Sequence, residues 1–353
     1  MGPLIVVPCL NEARHLPDLL RRLLADPGAD EALVVVADGG STDGSQDIVT
    51  ALGATEPRLR LLDNPLKLQG AGVNAAVWAF AAGRTWLVRV DAHADYPADY
   101  VARLIGAAEA TGAASVVVPL TTRGEGCFQI AVAVAQNSRI GTGGAVHRVG
   151  GDSGWIDHGH HALMRIADFV AVGGYDETFS HNEDAELDLR LARAGARIWM
   201  QADLAVGYHP RATPGALFRQ YFNYGRGRAR TVHRHRTPLK ARQLAPLVVA
   251  PAVGLSLLSL VLIPLSGWAV AGLVPTAVWI GVCLVAGLAA GARARLRCGL
   301  MSGLAAMIMH LAWSAGFLSR TVARAIKPDA AHLIARLAEQ AWIRAVGRRR
   351  RAR

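Results

Sequence analysis

Leu33-Val34-Val35-Val36-Ala37-Asp38-Gly39-Gly40-Ser41-Thr42-Asp43-Gly44 passes from an unbroken apolar run into a turn rich in Gly and Asp. A short run that is apolar on both faces suits a strand buried in a parallel sheet, and the turn behind it opens a helix. The same pattern recurs on either side. Leu4 to Val7 precedes a helix expected over about 15–25, a helix follows Gly44, and Leu59 to Leu62 precedes one over about 70–82. Trp86 to Val90 precedes a helix over about 98–110, and Ser115 to Val118 is a further strand. This alternation predicts an α/β fold with a mainly parallel sheet covered on both faces. Residues 121–153 are glycine-rich and read as a mobile loop or insertion. Regular structure is expected to resume near 160, with a helix over about 183–194 and strands near 197–200 and 204–208.

The chain has 353 residues, 52% of them hydrophobic, and 38 Lys and Arg against 27 Asp and Glu give a net charge of +11. It is too apolar for a disordered chain and too long for one small domain. Residues 1–209 hold 16 basic and 25 acidic side chains, whereas residues 210–242 hold nine basic and none acidic. Three Arg fall in 293–297, and 320–353 has ten basic residues against two acidic. Between these clusters, 243–292 and 298–319 contain no Asp, Glu, Lys or Arg. Basic residues that flank apolar runs, rather than mixing with aromatics on a folded surface, point to membrane lipids and away from nucleic acid.

A spanning helix needs about 20 apolar residues. Spans are expected near 244–265 and 268–291, with a weaker candidate at 299–318. Three spans would leave Arg348 to Arg351 on the side opposite the N-terminal domain, against the positive-inside rule. The third segment is therefore expected to lie in the interface or re-enter, with 330–347 forming a basic amphipathic helix. Cys9, Cys127, Cys283 and Cys298 have no metal-type spacing, so neither a disulfide framework nor a zinc site is expected. The start lacks the basic and apolar regions of a secretory signal, and the N-terminal part is expected to be cytoplasmic.

In an open parallel sheet, ligands bind beyond the carboxyl ends of the strands. Glu12, Asp38 and Asp91 all fall there. Turn chemistry alone accounts for any one of them, but together they fit a ligand with a ribose, a base or a metal ion to hold. Asp91-Ala92-His93-Ala94-Asp95 sets possible ligands at alternate positions, and hard cations share such oxygens with phosphates. Glu183 and Asp184 open a helix where the dipole favours acids, yet His181-Asn182-Glu183-Asp184-Ala185-Glu186-Leu187-Asp188 has more acids than a cap needs. One of them suits a general base for a hydroxyl nucleophile.

Pro8-Cys9-Leu10-Asn11-Glu12, Asp38-Gly39-Gly40-Ser41-Thr42-Asp43, Lys67 with Gly70-Ala71-Gly72-Val73-Asn74, the Asp91 segment, and Gly173-Gly174-Tyr175-Asp176-Glu177 with Glu183-Asp184 together resemble the family 2 glycosyltransferases of GT-A fold. Val90-Asp91-Ala92-His93-Ala94 and Gln220-Tyr221-Phe222-Asn223-Tyr224-Gly225-Arg226 with Arg228 are similar to the ExoA-like group of succinoglycan-biosynthesis glycosyltransferases. The resemblance implies an inverting transfer of a hexose from a UDP-sugar donor to a hydroxyl of a glycan on a polyprenyl diphosphate, in exopolysaccharide or cell-envelope glycan synthesis. It implies Asp184 as base with Glu183 beside it, and a nucleotide site drawn from Pro8, Asn11, Glu12, Asp38, Gly40, Lys67, Gly70, Asn74 and Asp91. It further implies Gln220 and Arg226 at the diphosphate and acceptor, and Mn²⁺ or Mg²⁺ held by Asp91, with His93 and His209 as further ligands.

On this reading residues 1–235 form the GT-A domain, 236–319 a membrane segment and 320–353 a basic tail, with the enzyme on the cytoplasmic face of a bacterial-type inner membrane. Two departures stand out. Asp91-Ala92-His93 replaces the family's Asp-x-Asp, and the Gln-x-x-Arg-Trp element of processive members is incomplete after Gln220. The second favours single addition over polymer synthesis. The alternatives are a polyprenyl-phosphate sugar synthase, a nucleotide-sugar-binding scaffold without activity, and a dehydrogenase suggested by Gly70-Ala71-Gly72, whose glycines do not sit in the first βα turn.

Overall fold

The computed structural model describes residues 1–326. β1 (Leu4–Cys9), α1 (Leu16–Leu24), β2 (Leu33–Asp38), α2 (Ser45–Gly53), β3 (Leu59–Asp63), α3 (Gln69–Phe80), β4 (Trp86–Arg89) and α4 (Tyr100–Thr111) alternate as expected. β1 is buried at every position and β2 at all but its first, as strands covered by helices on both faces must be. β5 (Ser115–Val118) and β6 (Leu120–Thr122) lead into α5 (Cys127–Gln136) and two single turns, α6 (Arg139–Thr142) and α7 (Val146–Val149). β7 (Gly154–Ile156), β8 (His160–Arg165), α8 (Ile166–Ala171), α9 (Glu183–Arg193), β9 (Ile198–Met200) and β10 (Val206–Tyr208) complete the sheets.

The main sheet has the order β3-β2-β1-β4-β8-β5-β9-β7, and β10 pairs with β6 beside it. β3, β2, β1 and β4 run parallel, and β8 lies antiparallel between β4 and β5. The chain leaves β1 toward β2 and later returns to β4 on its other side. The strand order therefore reverses at β1/β4, where side chains at the carboxyl ends face a crevice.

Residues 121–153 are not a structureless insertion. α5 is an apolar helix whose Val132 and Ala135 are fully buried, because they pack against a helix that arrives far later in the chain. The Gly content had hidden this; Gly143, Gly144 and Gly150 adopt positive φ at the turns around α6 and α7 and leave α5 untouched.

After β10 the basic stretch forms one long helix, α10 (Pro214–His235), capped by the Thr213 hydroxyl. α11 (Ala241–Leu247), α12 (Val249–Leu262), α13 (Val274–Ala294) and α14 (Ser302–Ile326) follow. Three helical stretches, Ala241–Leu262, Gly267–Ala294 and Arg297–Ile326, are long and apolar enough to cross a membrane. The first two expose their apolar side chains, with Val261 at 71% and Val285 at 69%.

α14 differs, since half of its apolar stretch is buried in the protein. Ala305, Ala306 and Met309 join Val132, Ala135 and Leu217 in one cluster. His310 Nε2 lies 2.7 Å from the Ile140 carbonyl, and the Ser314 hydroxyl donates to the Leu247 carbonyl. Glycines let α10 and α14 touch backbone to backbone. A Cβ on Gly225 would lie 2.1 Å from the Trp313 carbonyl oxygen, and one on Gly316 2.0 Å from that of Phe222. The proposed amphipathic helix at 330–347 and the Arg348 to Arg351 cluster lie outside the described residues.

The expectation of four reduced cysteines is corrected. Cys127 and Cys298 form a disulfide across 171 residues, joining the start of α5 to the turn between α13 and α14. Spacing could not reveal it, because tertiary packing alone brings those two turns together. Cys9 and Cys283 remain free and buried.

The α10/α14 contact yields a direct test. Gly225→Val should destabilise the full chain in detergent by more than about 3 kcal/mol, the upper part of the usual overpacking cost, whereas Gly254→Val, which meets nothing within 4 Å, should not. Thermal unfolding of both variants beside wild type is the check.

Candidate active site

β4 ends in Arg89 and runs on through Val90 to Asp91, so the period of two puts both charged side chains on one face. Arg89 is 3% exposed and its guanidinium gathers the site around it. Nη1 donates to Asp184 Oδ1 at 2.5 Å and to the Tyr175 hydroxyl, while Nη2 donates to Gln69. Nη2 also lies 3.5 Å from Asp91 Oδ1 and 3.8 Å from Glu183 Oε1. Three carboxylates thus share one buried cation.

Asn182, in the left-handed region at φ 67°, turns the chain into α9 and delivers Glu183 and Asp184 to the crevice. Its side-chain amide is held by Thr231 on α10. Behind Asp184, His161 sits between the Tyr175 hydroxyl and Asp188 Oδ1, both at 2.7 Å, and His158 takes the other Asp188 oxygen. His161 Nδ1 also approaches Asp184 Oδ1 at 3.4 Å. Asp184 Oδ2 makes no hydrogen bond among the described residues.

The two adjacent acids are driven apart electrostatically. Burial works against the Asp184 charge, but Arg89 and then His161 and His160 overcome it and hold the carboxyl far below the usual range. Glu183 lacks so close a cation. Burial first, and the Asp184 charge second, push it up to about 7. Burial likewise opposes ionisation of Asp91, yet Arg89, His160 and His93 keep it lowered.

At the carboxyl ends of β1 and β2, Asp38 is nearly sealed, and its oxygens accept from the Gly40 and Ser41 amides, the Ser41 hydroxyl and Gln46. Burial opposes its charge, and these hydrogen bonds keep it ionised. Asn11, at φ 58°, accepts from the Thr42 amide, and the Glu12 amide donates to Ser45. These contacts lock the loop after Pro8 to that after Asp38. Lys67, at φ 57°, brings its Nζ beside Gly40.

A cavity of about 1100 Å³ runs from Lys67, Asp91 and His93 past Glu183, Asp184 and Gln220 to the apolar helices. The Gln220 amide donates to Tyr208 and Tyr224, and its Oε1 is buried without a partner among the described residues. Pro8, Asn11, Glu12, Asp38 and Gly40 lie outside this lining, at the strand ends near it.

Several expected residues hold other places. Asn74 is buried and braces the loop before α9, accepting from the Tyr175 amide and donating to its carbonyl and to Glu177, while Gly70 packs on Tyr175. Both shape the site without lining it. Arg226 is exposed and off the cavity; Arg228, one half-turn on, lines it instead. His209 lies outside the lining and pairs with Asp95 at 3.3 Å. His93 Nδ1 is 2.9 Å from Glu12.

No group of three His, Cys, Asp or Glu close enough to hold a metal occurs among the described residues. The donor set fits a hard cation that takes one carboxylate, Asp91, and completes its shell with phosphate oxygens and water. It does not fit a metal held by protein alone.

The sequence reading missed Arg89, Asp188 and the His158, His160 and His161 group. One signal was available: a lone Arg inside the apolar run Trp86 to Val90, since a buried Arg demands carboxylate partners.

A buried cation gathering three acids beneath a crevice at the point of strand reversal makes a candidate transferase centre on a fold of GT-A type. The Glycosyl transferase family 2 model matches residues 4–172. The chain is 51% identical over 314 residues to the succinoglycan biosynthesis protein ExoA of Rhizobium meliloti (strain 1021), covering 89% of this chain and 93% of that one. It belongs to glycosyl transferase family 2 and is a glycosyltransferase. A shorter match, 32% over 121 residues, relates it to the undecaprenyl-phosphate mannosyltransferase of Micrococcus luteus, covering 33% of this chain and 47% of that one. Among solved structures, the mannosyltransferase PcManGT from Pyrobaculum calidifontis, in complex with GDP-Man and Mn²⁺, superposes with a TM-score of 0.54 at 18% identity, over 90% of this chain and 86% of that one. That likeness carries the fold.

Replacing Arg89 by Met would leave its acids uncompensated. Removing one partner from a buried ionic group costs about 3–5 kcal/mol, so Arg89→Met should lower the thermal midpoint by roughly 10 °C. Adding Asp184→Asn should recover part of that loss, a non-additivity read from the double-mutant cycle.

Proposed function

We propose that this chain is a membrane-anchored inverting transferase moving a hexose from a UDP-sugar to a hydroxyl of a lipid-linked glycan, in exopolysaccharide or cell-envelope glycan synthesis. The observation that carries the reading is Asp184. One oxygen is fixed by Arg89, the other has no hydrogen bond among the described residues, and the carboxyl is held ionised well below its ordinary range. A base held in this way meets the acceptor hydroxyl in a set orientation and takes its proton as the sugar carbon is attacked.

The donor's uracil and ribose would lie over the loops after β1 and β2, against Pro8, Asn11, Glu12, Asp38 and Gly40, with Lys67 beside the diphosphate. Bound at Asp91, Mn²⁺ or Mg²⁺ would neutralise the charge that builds on the departing diphosphate. Gln220, with its unpartnered oxygen, would accept from a sugar hydroxyl. The apolar helices support attachment to a membrane, and the basic clusters support a cytoplasmic catalytic side at a bacterial-type inner membrane.

A second reading, a polyprenyl-phosphate sugar synthase, draws on the shorter match to the Micrococcus luteus enzyme. An acceptor phosphate arrives already ionised and needs no base. The two readings separate on Asp184→Asn in UDP-release assays with a polyprenyl-diphosphate-linked glycan. The mutant should lose about 10²–10⁴-fold in kcat, the usual contribution of general base catalysis. Activity equal to wild type would move the synthase ahead.

Glu183 gives the reaction a pH signature. Its protonated form predominates below about 7; once ionised, it adds a negative charge beside Asp184 and raises that carboxylate's proton affinity. The pH profile of kcat/KM should therefore rise through about 7 in wild type. Glu183→Gln should flatten that rise, and an unchanged inflection would remove Glu183 from the catalytic unit.

A further inference from the structure

Besides the acids gathered by Arg89, the cavity lining carries six further arginines. Around Arg89 the acids are paired, whereas Arg139, Arg148, Arg211, Arg219, Arg228 and Arg242 have no ion pair among the described residues, and of these Arg148, Arg228 and Arg242 are half-buried. Arg148 stacks over the Tyr208 ring at 5.4 Å and reaches the Thr122 hydroxyl only at 3.5 Å. The Arg228 guanidinium makes no hydrogen bond or ion pair among the described residues. Burial, with Arg242 next, lowers its affinity for its proton to about 10, against a partial offset from Asp157. Asp157 is itself taken by Lys240. Half-buried guanidinium groups left in this state are open to an anionic partner.

Part of the cavity wall is apolar, formed by Trp279 and Val282 of α13 and Met309 and Trp313 of α14. Val282 both lines the cavity and is 56% exposed on the outer face of an apolar helix. The slot is therefore continuous with the surface that faces lipid.

We propose that Arg148, Arg228 and Arg242 bind the diphosphate of a polyprenyl-diphosphate acceptor, whose first isoprene units lie in the slot between α13 and α14. This inference rests on the lipid-linked acceptor of the preceding reading and adds where that lipid sits. The cavity joins acids, arginines and an apolar wall, and these match the glycan, diphosphate and isoprenoid of such a lipid. Guanidinium groups suit phosphate oxygens bidentately, and the apolar wall gives the chain a dry path from the bilayer.

Native mass spectrometry of the full chain in detergent, with undecaprenyl diphosphate, undecaprenol, inorganic diphosphate and UDP as separate probes, tests the assignment. Undecaprenyl diphosphate should bind at least about tenfold tighter than undecaprenol or inorganic diphosphate. The pair Arg228→Gln and Arg242→Gln should weaken it by about tenfold or more while UDP binding stays within about twofold. The pair Arg228→Lys and Arg242→Lys, which keeps the charge, should recover part of the loss, and Val282→Asp should weaken both lipid probes.

Undecaprenyl diphosphate binding no better than inorganic diphosphate, or unchanged in the Gln pair, overturns the proposal, as does an equal loss of UDP binding in that pair. Specific binding without transfer from any UDP-sugar to a lipid-linked glycan would sink the preceding reading and leave this one standing. Transfer with unaltered lipid binding in the Gln pair would do the reverse.

Discussion

A guanidinium taken out of water must be surrounded by negative charge, and this requirement at Arg89 organises the catalytic centre. The residue lies on β4, beside the reversal of strand order, with Asp91 two residues on along the same face. The start of α9 must come close enough to supply Glu183 and Asp184, and that approach needs the left-handed turn at Asn182 and the Tyr175 hydroxyl as a wedge. Asn74 on α3 fixes the Tyr175 backbone, and His161 ties the same hydroxyl to Asp188 one turn further along α9. Coulomb attraction at such distances and depth is strong, so a shift of any one member disturbs the others. The difference in acidity between Glu183 and Asp184 is a product of the same geometry, because only one of them gains a direct bond to the cation.

The central part of this arrangement was legible in the amino-acid sequence because it is local. Leu4 to Cys9 and Leu33 to Asp38 announce buried strands by composition, and the acids behind them announce a ligand edge by position. What stayed hidden depends on contacts between distant segments. Arg89 looks like an ordinary strand residue until α9 covers it. The glycines around α6 and α7 masked α5, whose Ala and Val side chains become core only when α14 lies on them. Cys127 and Cys298 follow the same rule, as does the choice between Arg226 and Arg228, both marked by the sequence, of which only Arg228 lines the cavity. Motif spacing located the right turn of α10, but the face that meets the cavity is set by packing of Gly225 and Gly227 against neighbouring backbone.

The charge on the two parts of the chain also acquires a structural meaning. The acidic N-terminal region concentrates its functional carboxylates around one cation, whereas the basic stretch after residue 209 forms α10 and α11, between the sheet and the apolar helices. An anionic lipid surface and a phosphorylated ligand would both be attracted to that layer, while Arg89 offsets part of the charge of the acids behind it.

The cluster of Val132, Ala135 and Leu217 with Ala305, Ala306 and Met309 has a consequence for how the protein is made. Domains generally fold in the order in which the ribosome releases them. Here the α5 and α10 faces emerge before the helix that covers them, and α12 and α13 must first be delivered to the membrane. The transferase domain therefore waits, with an apolar surface open, until insertion is under way. Synthesis next to the bilayer protects that surface during the delay, and a chain cut after α10 would carry it permanently into water. The core of the protein is thus complete only when α14 lies on α5 and α10, which ties the transferase fold to the placing of the apolar helices.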